Sequence, residues 1–192
     1  MDDIVLAAML KWPKVPHCHG WLALDARGNW FMRDDRAQAA GPFPQVKGSR
    51  VEHAKLLDFI QRNYAPDALG AWYFQNGPQR VYVDLEAAPR VWRLQADPGG
   101  GDSGGAGACT VHAHTGEAAA QVKSSWLDES GRLFLDTDIG YGLVHTLDTG
   151  VAADAVVCGL WQPQTLPFSQ MPGRFGYVLT PRPQAPQEGQ GA

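Results

Sequence analysis

The chain has 192 residues, of which 44% are hydrophobic and 19% are charged, and its formal net charge is −4 at pH 7. This length allows one domain of ordinary size or two small ones. The acidic balance argues against bulk binding to nucleic acid or to anionic lipid, because both need a basic surface.

Residues 3–12 predict a short helix that ends where Pro13 follows Trp12. The start of the chain is acidic and its apolar stretch stops near Leu10, whereas a secretory signal needs a basic start and a longer apolar core. No apolar run reaches the length of a membrane span. The three cysteines lack C-x-x-C spacing, which fits reduced thiols. We therefore expect a cytoplasmic protein outside the membrane.

Residues 24–31 and 127–134 share the pattern L-D-x-x-G-x-x-F. Each is an apolar run, a polar turn with one glycine and a second apolar run, which is typical of a β-hairpin. A looser third copy spans residues 72–82. We expect Gly28 and Gly131 at equivalent turn positions with positive φ, which strains other residues. The repetition predicts a fold built by duplicating one hairpin-bearing unit.

Residues 33–48 are charged and then rich in glycine and proline, which predicts a loop. Residues 49–52 have the sequence Ser-Arg-Val-Glu, a capping-box pattern that predicts the start of a helix. Apolar positions continue at helical spacing to Tyr64, and Pro66 ends the helix. This is the one well-defined helix in the sequence.

Strands are predicted over residues 71–94, where Val81 and Val83 alternate with Tyr82 and Asp84 and give one apolar and one mixed face. The glycine-rich residues 97–107 predict a mobile loop that folding does not need. Further strands are expected at residues 110–114, 120–125, 143–145, 156–158 and 175–179.

These elements predict an α+β fold of two duplicated, mainly-β modules. The N-terminal α+β module is expected over residues 1–68, and the C-terminal mainly-β module over residues 69–182 with the glycine-rich loop inside it. The tail, residues 183–192, is rich in proline, glutamine and glycine and is expected to be disordered.

The order of elements over residues 20–140 resembles a proteobacterial family defined only as a domain of unknown function. The likeness rests on the hairpin around Gly28, the helix, the strands over 70–83 and the run Glu-Ala-Ala-Pro at 86–89, where that family has Val-Glu-Asp-x-Pro. The strand over 133–138 resembles that family's strand ending in Thr-Asn, although this chain ends it in Thr-Asp. The glycine-rich insert has no counterpart, which favours a sister family.

The resemblance implies two duplicated α+β modules, the second of them similar to a pleckstrin-homology fold. It also implies a site for a nucleotide-like ligand at the interface of the modules and a role in signalling. It brings no catalytic residues with it.

Two motifs suggest chemistry that their surroundings do not support. Residues 101–105 read Gly-Asp-Ser-Gly-Gly, as around a protease nucleophile, but a predicted helix precedes them where that fold has a β-barrel. His17 with His19 and His112 with His114 place paired imidazoles on extended strands, and four such ligands could bind zinc. Nothing in the sequence brings the two pairs together, so we predict no metal and no cofactor.

The candidate site combines aromatic rings with guanidinium groups where the first module meets the strands of residues 72–94. Side chains alternate between the faces of a hairpin, so one of two neighbouring rings points away from its core. Guanidinium groups beside rings suit a flat, anionic ligand such as a nucleotide; alternatively, the arginine stems only cover the rings. The predicted ligand-binding residues are Trp30, Arg33, Arg36, Trp72 and Arg80.

The leading functional hypothesis is a non-enzymatic, cytoplasmic binding module associated with signalling. One alternative is an enzyme of unrecognised class that uses scattered aspartates, histidines and arginines. Another is an oligomeric scaffold whose exposed tryptophans face a partner chain. The sequence leaves the ligand and the oligomeric state open.

Overall fold

The computed structural model describes residues 1–12, 15–96 and 109–183 and has an α+β fold, mainly β, with two curled sheets. The first sheet contains β1 (Cys18–Leu24), β2 (Trp30–Met32), β3 (Ser49–Arg50), β4 (Tyr64–Pro66), β5 (Trp72–Asn76) and β6 (Gln79–Leu85). The second contains β7 (Arg90–Ala96), β8 (Cys109–Ala113), β9 (Ala118–Ala119), β10 (Val122–Leu127), β11 (Leu133–Thr137), β12 (Gly140–Val144) and β13 (Gln164–Thr165). The helices are α1 (Asp3–Lys11), α2 (Asp35–Ala40), α3 (Ala54–Arg62), α4 (Thr149–Val157) and α5 (Met171–Phe175). The predicted fold class is confirmed.

The two sheets repeat the same arrangement of strands. The first has the order β3-β2-β1-β6-β5-β4, and the second has β9-β8-β7-β12-β11-β10 followed by β13. Each contains one central parallel pair, β1 with β6 and β7 with β12, with antiparallel neighbours on both sides. The strands β1 to β6 therefore correspond one to one, in chain order and polarity, to β7 to β12. This correspondence supports duplicated mainly-β modules.

Three hairpin turns share one local geometry. In each, an aspartate is followed three residues later by a glycine with positive φ, 77° at Gly28, 80° at Gly70 and 74° at Gly131. In each, the aspartate Oδ1 accepts hydrogen bonds from the amides two and four residues further on. Gly28 and Gly131 therefore both lie in hairpin turns with positive φ, as predicted, but their predicted equivalence within the duplicated units is wrong. The hairpin predicted over residues 72–82 is also confirmed, as β5 and β6 pair antiparallel and Gly77 in their turn has a φ of 55°. Its turn lacks the Asp-x-x-Gly frame, whereas the turn of Asp67 and Gly70, which the sequence pattern did not find, has it.

The strand correspondence pairs these turns differently from the sequence pattern. The β10–β11 turn of Gly131 corresponds to the β4–β5 turn of Gly70, whereas the turn of Gly28 joins β1 to β2. The chain passes from the first sheet to the second between Leu85 and Arg90, which lies beyond the module boundary predicted at residues 68 and 69. A division into two modules at that boundary stays a prediction, and so does the likeness of the second module to a pleckstrin-homology fold.

The capping box predicted at residues 49–52 is wrong. Residues 49–50 form β3 along β2, and Val51 continues this contact because its N–H donates to the Trp30 carbonyl at 2.8 Å. Helix α3 begins at Ala54 after the N-cap residue His53. Cross-strand pairing has overridden the local helix signal here. The helix ends at Arg62, so Tyr64 belongs to β4 instead.

Three further segments differ from the sequence predictions. The predicted loop over 33–48 contains α2, whose N-cap Asp34 accepts a hydrogen bond from the Ala37 amide at 2.9 Å. The strand predicted over residues 156–158 is absent, because Val156 and Val157 form the end of α4. This helix packs against the second sheet through the buried residues Ala152 and Ala155. The predicted strand over 175–179 is the end of α5 and a following coil. The predictions for residues 97–107 and for the tail from residue 184 lie outside the described residues.

The main core lies between the sheets and includes side chains from both, together with Met171 and Tyr177. After α5 the chain returns to the first sheet, where the Val178 N–H donates to the Gly70 carbonyl at 3.1 Å. The Leu85 N–H donates to the Leu179 carbonyl at 2.7 Å. Residues 177–183 therefore border the first sheet. No helix in the described part of the chain is long and apolar enough to cross a membrane.

Candidate functional site

The two tryptophans predicted to contact a ligand lie in the main core. Trp30 is 1% exposed and its ring meets that of Tyr64 edge-on, with centroids 5.0 Å apart. Tyr64 in turn packs against Trp72 at 4.6 Å, and Arg90 lies over the Trp72 ring. The structure thus brings Trp30 and Trp72 together through a shared aromatic neighbour, in the core rather than in a cleft.

The three predicted arginines lie apart from the tryptophans. Arg33 is buried, and its guanidinium donates to the carbonyls of Val46 at 3.1 Å and Gly41 at 2.6 Å. Arg36 is exposed on α2. Arg80 lies over the ring of Tyr73 at 4.4 Å. A ligand-binding role for the five predicted residues stays a prediction.

The outer face of the first sheet, which carries Tyr73 and Tyr82 and is turned away from the main core, holds a cleft of about 560 Å³. We call this the first cleft. Val178 from the C-terminal segment forms part of its apolar wall, and Arg182 stands at its edge. The other polar residues that line it are His17, His19, Asp67 and Tyr82.

A β-bulge in β1 shapes this cleft. Residues 19–21 of β1 all lie opposite the single residue Tyr82 of β6. Gly20, in the middle of the bulge, has a φ of 77°, which glycine adopts without strain. His19 therefore stacks on the Tyr82 ring with centroids 4.5 Å apart and planes 13° apart, and His17 meets the same ring edge-on at 5.9 Å.

Both cleft histidines are neutral at pH 7. Burial lowers the pKa of His17, and the charge of Arg80 lowers it further. Burial also lowers the pKa of His19, with contributions from His17 and Arg182. A neutral imidazole offers one donor and one acceptor, so the pair can form hydrogen bonds with a polar ligand without adding charge.

Asp67, the one acidic residue among the described residues that line the first cleft, already accepts hydrogen bonds from within the fold. The Oδ1 atom of Asp67 accepts two backbone amides of its own turn, and its Oδ2 accepts the Tyr82 hydroxyl at 3.1 Å. Burial raises the pKa of Tyr82, so this hydroxyl keeps its proton. Neither Arg80 nor Arg182 forms an ion pair with any residue that the structure describes. The available charge at the first cleft is therefore positive.

A second cleft of about 270 Å³ adjoins the first and shares Arg182 with it. The Asp84 side chain, 5% exposed, lines this cleft, and its Oδ2 lies 3.5 Å from Nη1 of Arg33. Its Oδ1 has no hydrogen-bond partner among the described residues. Burial raises the pKa of Asp84, while the charges of Arg182 and Arg33 oppose that rise.

An apolar groove of about 290 Å³ lies on the inner side of the first sheet, beside α3. Phe59 and Phe74 line it from within, and Trp21 and Met32 stand at its rim with 42% and 51% exposure. This lining suits an apolar side chain better than a charged ligand.

The histidine pairs considered for zinc belong to different sheets: His17 and His19 lie at the start of β1 in the first, and His112 and His114 lie at the end of β8 in the second. No group of three or more histidine, cysteine or acidic side chains is placed to hold a metal ion within residues 1–12, 15–96 and 109–183. His114 is structural: its Nδ1 accepts the Val91 N–H at 3.2 Å. Burial, aided by a nearby arginine, lowers the pKa of His114 to about 3.

Sequence reasoning missed three residues of the clefts. His19 was considered only as a metal ligand, Asp84 only as part of a strand pattern, and Arg182 lay beside the tail expected to be disordered. One signal could have found the first of these. A glycine inside a strand pattern, such as Gly20 between His19 and Trp21, is typical of a bulge that redirects side chains.

The fold and the clefts define an α+β protein with duplicated mainly-β modules and two adjoining polar clefts on one sheet. The chain belongs to the family DUF2944, described as "Protein of unknown function (DUF2946)", whose model matches residues 1–182. No curated protein matches the chain. The expected membership of a domain-of-unknown-function family is confirmed.

A solved structure with a similar fold is the crystal structure of a DUF1285 family protein from Silicibacter pomeroyi DSS-3. The two chains are 13% identical, the match covers 80% of this chain and 84% of that chain, and the TM-score is 0.51. At this identity the likeness shows the fold alone.

Proposed function

We propose that this protein is a non-enzymatic, cytoplasmic module that binds a small, planar, anionic ligand in the first cleft. The observation that carries the proposal is the stacked pair of His19 and Tyr82 beside Arg182. Stacked rings offer a planar ligand a favourable surface, and a guanidinium without an ion pair attracts an anionic group.

The charges around the first cleft support an anion over a cation. Asp67 is saturated by hydrogen bonds, and the neutral histidines add no charge. Arg182 is exposed at the rim, where solvent competes with any bound anion. We therefore expect modest affinity from the arginine alone and useful affinity only when a ring and an anion are present in one molecule.

The test is a thermal-shift series that separates the two parts of the ligand. Inorganic phosphate supplies the anion, adenosine and guanosine supply the ring, and their monophosphates supply both. A ligand that binds only the folded state raises the melting temperature by mass action, equivalent to about 2.7 kcal/mol at one hundred times its dissociation constant. We expect the monophosphates to raise the melting temperature more than phosphate or nucleoside does.

Three variants locate the binding site. His19→Ala and Arg182→Ala should each weaken the monophosphate shift, whereas Arg36→Ala, which removes an equal charge from an exposed position outside both clefts, should not. Unchanged binding in the His19 and Arg182 variants would place the ligand elsewhere. Weaker binding in Arg36→Ala would favour the site predicted from the sequence.

A second candidate function is association with another protein chain. It is favoured by the apolar groove and by α1, where Ile4 and Leu10 are 77% and 85% exposed. Trp12, just beyond α1, is 51% exposed. Sedimentation analysis of the wild type and of a Trp21→Ser variant tests it. A wild-type oligomer that the substitution dissociates supports association through this groove, and a wild-type monomer argues against self-association.

A further inference from the structure

We propose that Asp84 recognises a pair of hydrogen-bond donors on the ligand, so that the ligand is a planar heterocycle with adjacent N–H groups, as in guanine, joined to an anionic group. This inference rests on the proposed function of the first cleft. It adds the second cleft as the site that forms hydrogen bonds with the edge of the ligand's heterocyclic ring.

The unpartnered oxygen of Asp84 is the starting observation. The Asp84 side chain is 5% exposed and lines the second cleft, and its buried Oδ1 has no partner among the residues that the structure describes. Buried polar atoms are nearly always hydrogen-bonded. A carboxylate accepts and does not donate, so the group that completes this site carries N–H or O–H donors.

Arg33 does not satisfy Asp84 because the surrounding loop holds it. Its Nε and Nη2 donate to the carbonyls of Val46, Ala37 and Gly41, at 3.1, 3.4 and 2.6 Å. Only Nη1 is left for Asp84, and it lies 3.5 Å from Oδ2. Oδ1 therefore has no donor among the described residues, and Asp84 lines the second cleft.

The two clefts are placed so that one molecule can reach both. Tyr82 and Asp84 are two residues apart on β6, so their side chains emerge from the same face of the sheet, about 7 Å apart along the strand. Arg182 lines both clefts. A ring stacked near Tyr82 can thus present its edge towards Asp84 while its anionic group meets Arg182.

The local charges select neutral donors over a cation. Arg33 and Arg182 both lie close enough to influence the pKa of Asp84, so a ligand ammonium group would meet two positive charges there. The ring edge of guanine carries two adjacent N–H donors, hypoxanthine carries one, and the corresponding ring nitrogen of adenine is an acceptor. A site that hydrogen-bonds a donor group rejects an analogue lacking it, because buried polar atoms are then left unpaired.

Isothermal titration at pH 8 with guanosine, inosine and adenosine monophosphates tests the inference. On the wild-type chain we expect guanosine monophosphate to bind at least ~10-fold more tightly than adenosine monophosphate, with inosine monophosphate in between, in line with the penalty for unpaired groups. Asp84→Asn should reduce the affinity for guanosine monophosphate ~10-fold and leave that for adenosine monophosphate within about twofold. The matched control Asp58→Asn removes the same charge from an exposed helical position and should change neither affinity.

Each outcome decides between the two proposals. Equal wild-type affinities for the three nucleotides, or an unchanged preference in Asp84→Asn, would overturn the role of Asp84 and leave the first cleft as a general site for planar anions. Absence of binding by all three would overturn both proposals. The comparison of nucleotides on the wild-type chain needs no variant, so it decides the question even if Asp84→Asn fails to fold.

Discussion

Gly20 controls the clefts through its backbone conformation. Its φ is 77°, a conformation that strains other residues. The side chain of Gln38 also lies close by, so that a Cβ atom at this position would be 2.9 Å from its Oε1. The bulge that it allows is what brings His19 onto Tyr82. A substitution here should therefore affect binding as well as stability.

We predict that Gly20→Ala lowers the free energy of unfolding by about 1–2 kcal/mol, the cost of a non-glycine residue in this conformation, and weakens ligand binding. Gly116→Ala is the matched control, since Gly116 also has positive φ, 89°, but has no atom within 4 Å of the added methyl group. Urea unfolding and nucleotide titration of both variants measure the effects. Full binding in a folded Gly20→Ala variant would show that the bulge does not position His19.

His114 makes the stability of the protein depend on pH. Its pKa is about 3 in the folded state and about 6.5 in an unfolded chain, so below pH 6.5 the unfolded chain takes up a proton that the folded chain does not. The free energy of unfolding is therefore complete above pH 6.5 and falls with decreasing pH by roughly 1.4 kcal/mol per unit from this residue. The lowered pKa values of His17, His19 and His145 act in the same direction.

We predict that His114→Asn flattens this dependence between pH 6.5 and 5, because the asparagine Oδ1 can accept the Val91 N–H in place of Nδ1 and does not titrate. Urea unfolding of wild type and variant at half-unit intervals measures the slope. Equal slopes in the two proteins would contradict a buried neutral His114.

Among the described secondary-structure elements, three hairpins share a turn with the pattern Asp-x-x-Gly. Another hairpin turn, from Ala113 to Glu117, has the same backbone hydrogen bonds and a positive-φ glycine but no aspartate. The backbone can therefore form this turn alone, and the aspartate adds stability by accepting amides that would otherwise be unpaired. The side chain of Asp128 is fully buried and also bonds Arg132 at 2.6 Å.

We predict that Asp67→Ala and Asp128→Ala each lower the free energy of unfolding by about 2 kcal/mol, as expected for hydrogen bonds to a charged acceptor. Asp58→Ala, on the exposed face of α3, should change it by less than about 0.5 kcal/mol. Chemical denaturation of the three variants provides the comparison. A small effect for both turn variants would mean that the backbone alone determines these hairpins.

A second prediction at this scale concerns residues 97–108, between β7 and β8. Ala96 and Cys109 pair directly as antiparallel neighbours, so the strands on either side already meet. Replacing residues 97–108 by Asn-Gly should leave the melting temperature unchanged or slightly higher, because a shorter loop costs less to close, by about 0.6 kcal/mol per halving of its length. Loss of the folded state would show that this segment contributes to folding.

Helices and hairpins could be predicted where neighbouring residues in the sequence determine them. They could not be predicted where contacts with a distant strand determine the structure. The hairpins of Gly28 and Gly131 follow from turn chemistry, and α1 follows from an apolar run stopped by proline. Residues 49–50 and 156–157 were mispredicted because cross-strand contacts of Val51 and the burial of α4 override their local preferences.

For the whole molecule, the sequence predicted that one unit is duplicated, but it did not predict which strands of the two units correspond or which strands pair. The parallel pair of β1 with β6 joins segments far apart in the chain, such as Leu22 with Val83, and hydrophobic alternation does not specify which strand is the partner. The clefts depend on the same long-range contacts, since Tyr82 comes from β6, His19 from β1 and Arg182 from the C-terminal segment. Charge and aromatic content suggested a planar anion, but only the fold brings these three residues together.

The proposed function places a planar anion beside His19 and Tyr82 on the outer face of the first sheet. Histidine-ring resonances observed by NMR test it directly, because the six histidines lie within or beside strands of both sheets and at the N-cap of α3. On titration with guanosine monophosphate, we expect the ring signals of His17 and His19 to shift in a saturable manner, while those of His53, His112 and His145 stay constant. No shift at His17 and His19, or a saturable shift at the other histidines instead, would contradict the claim.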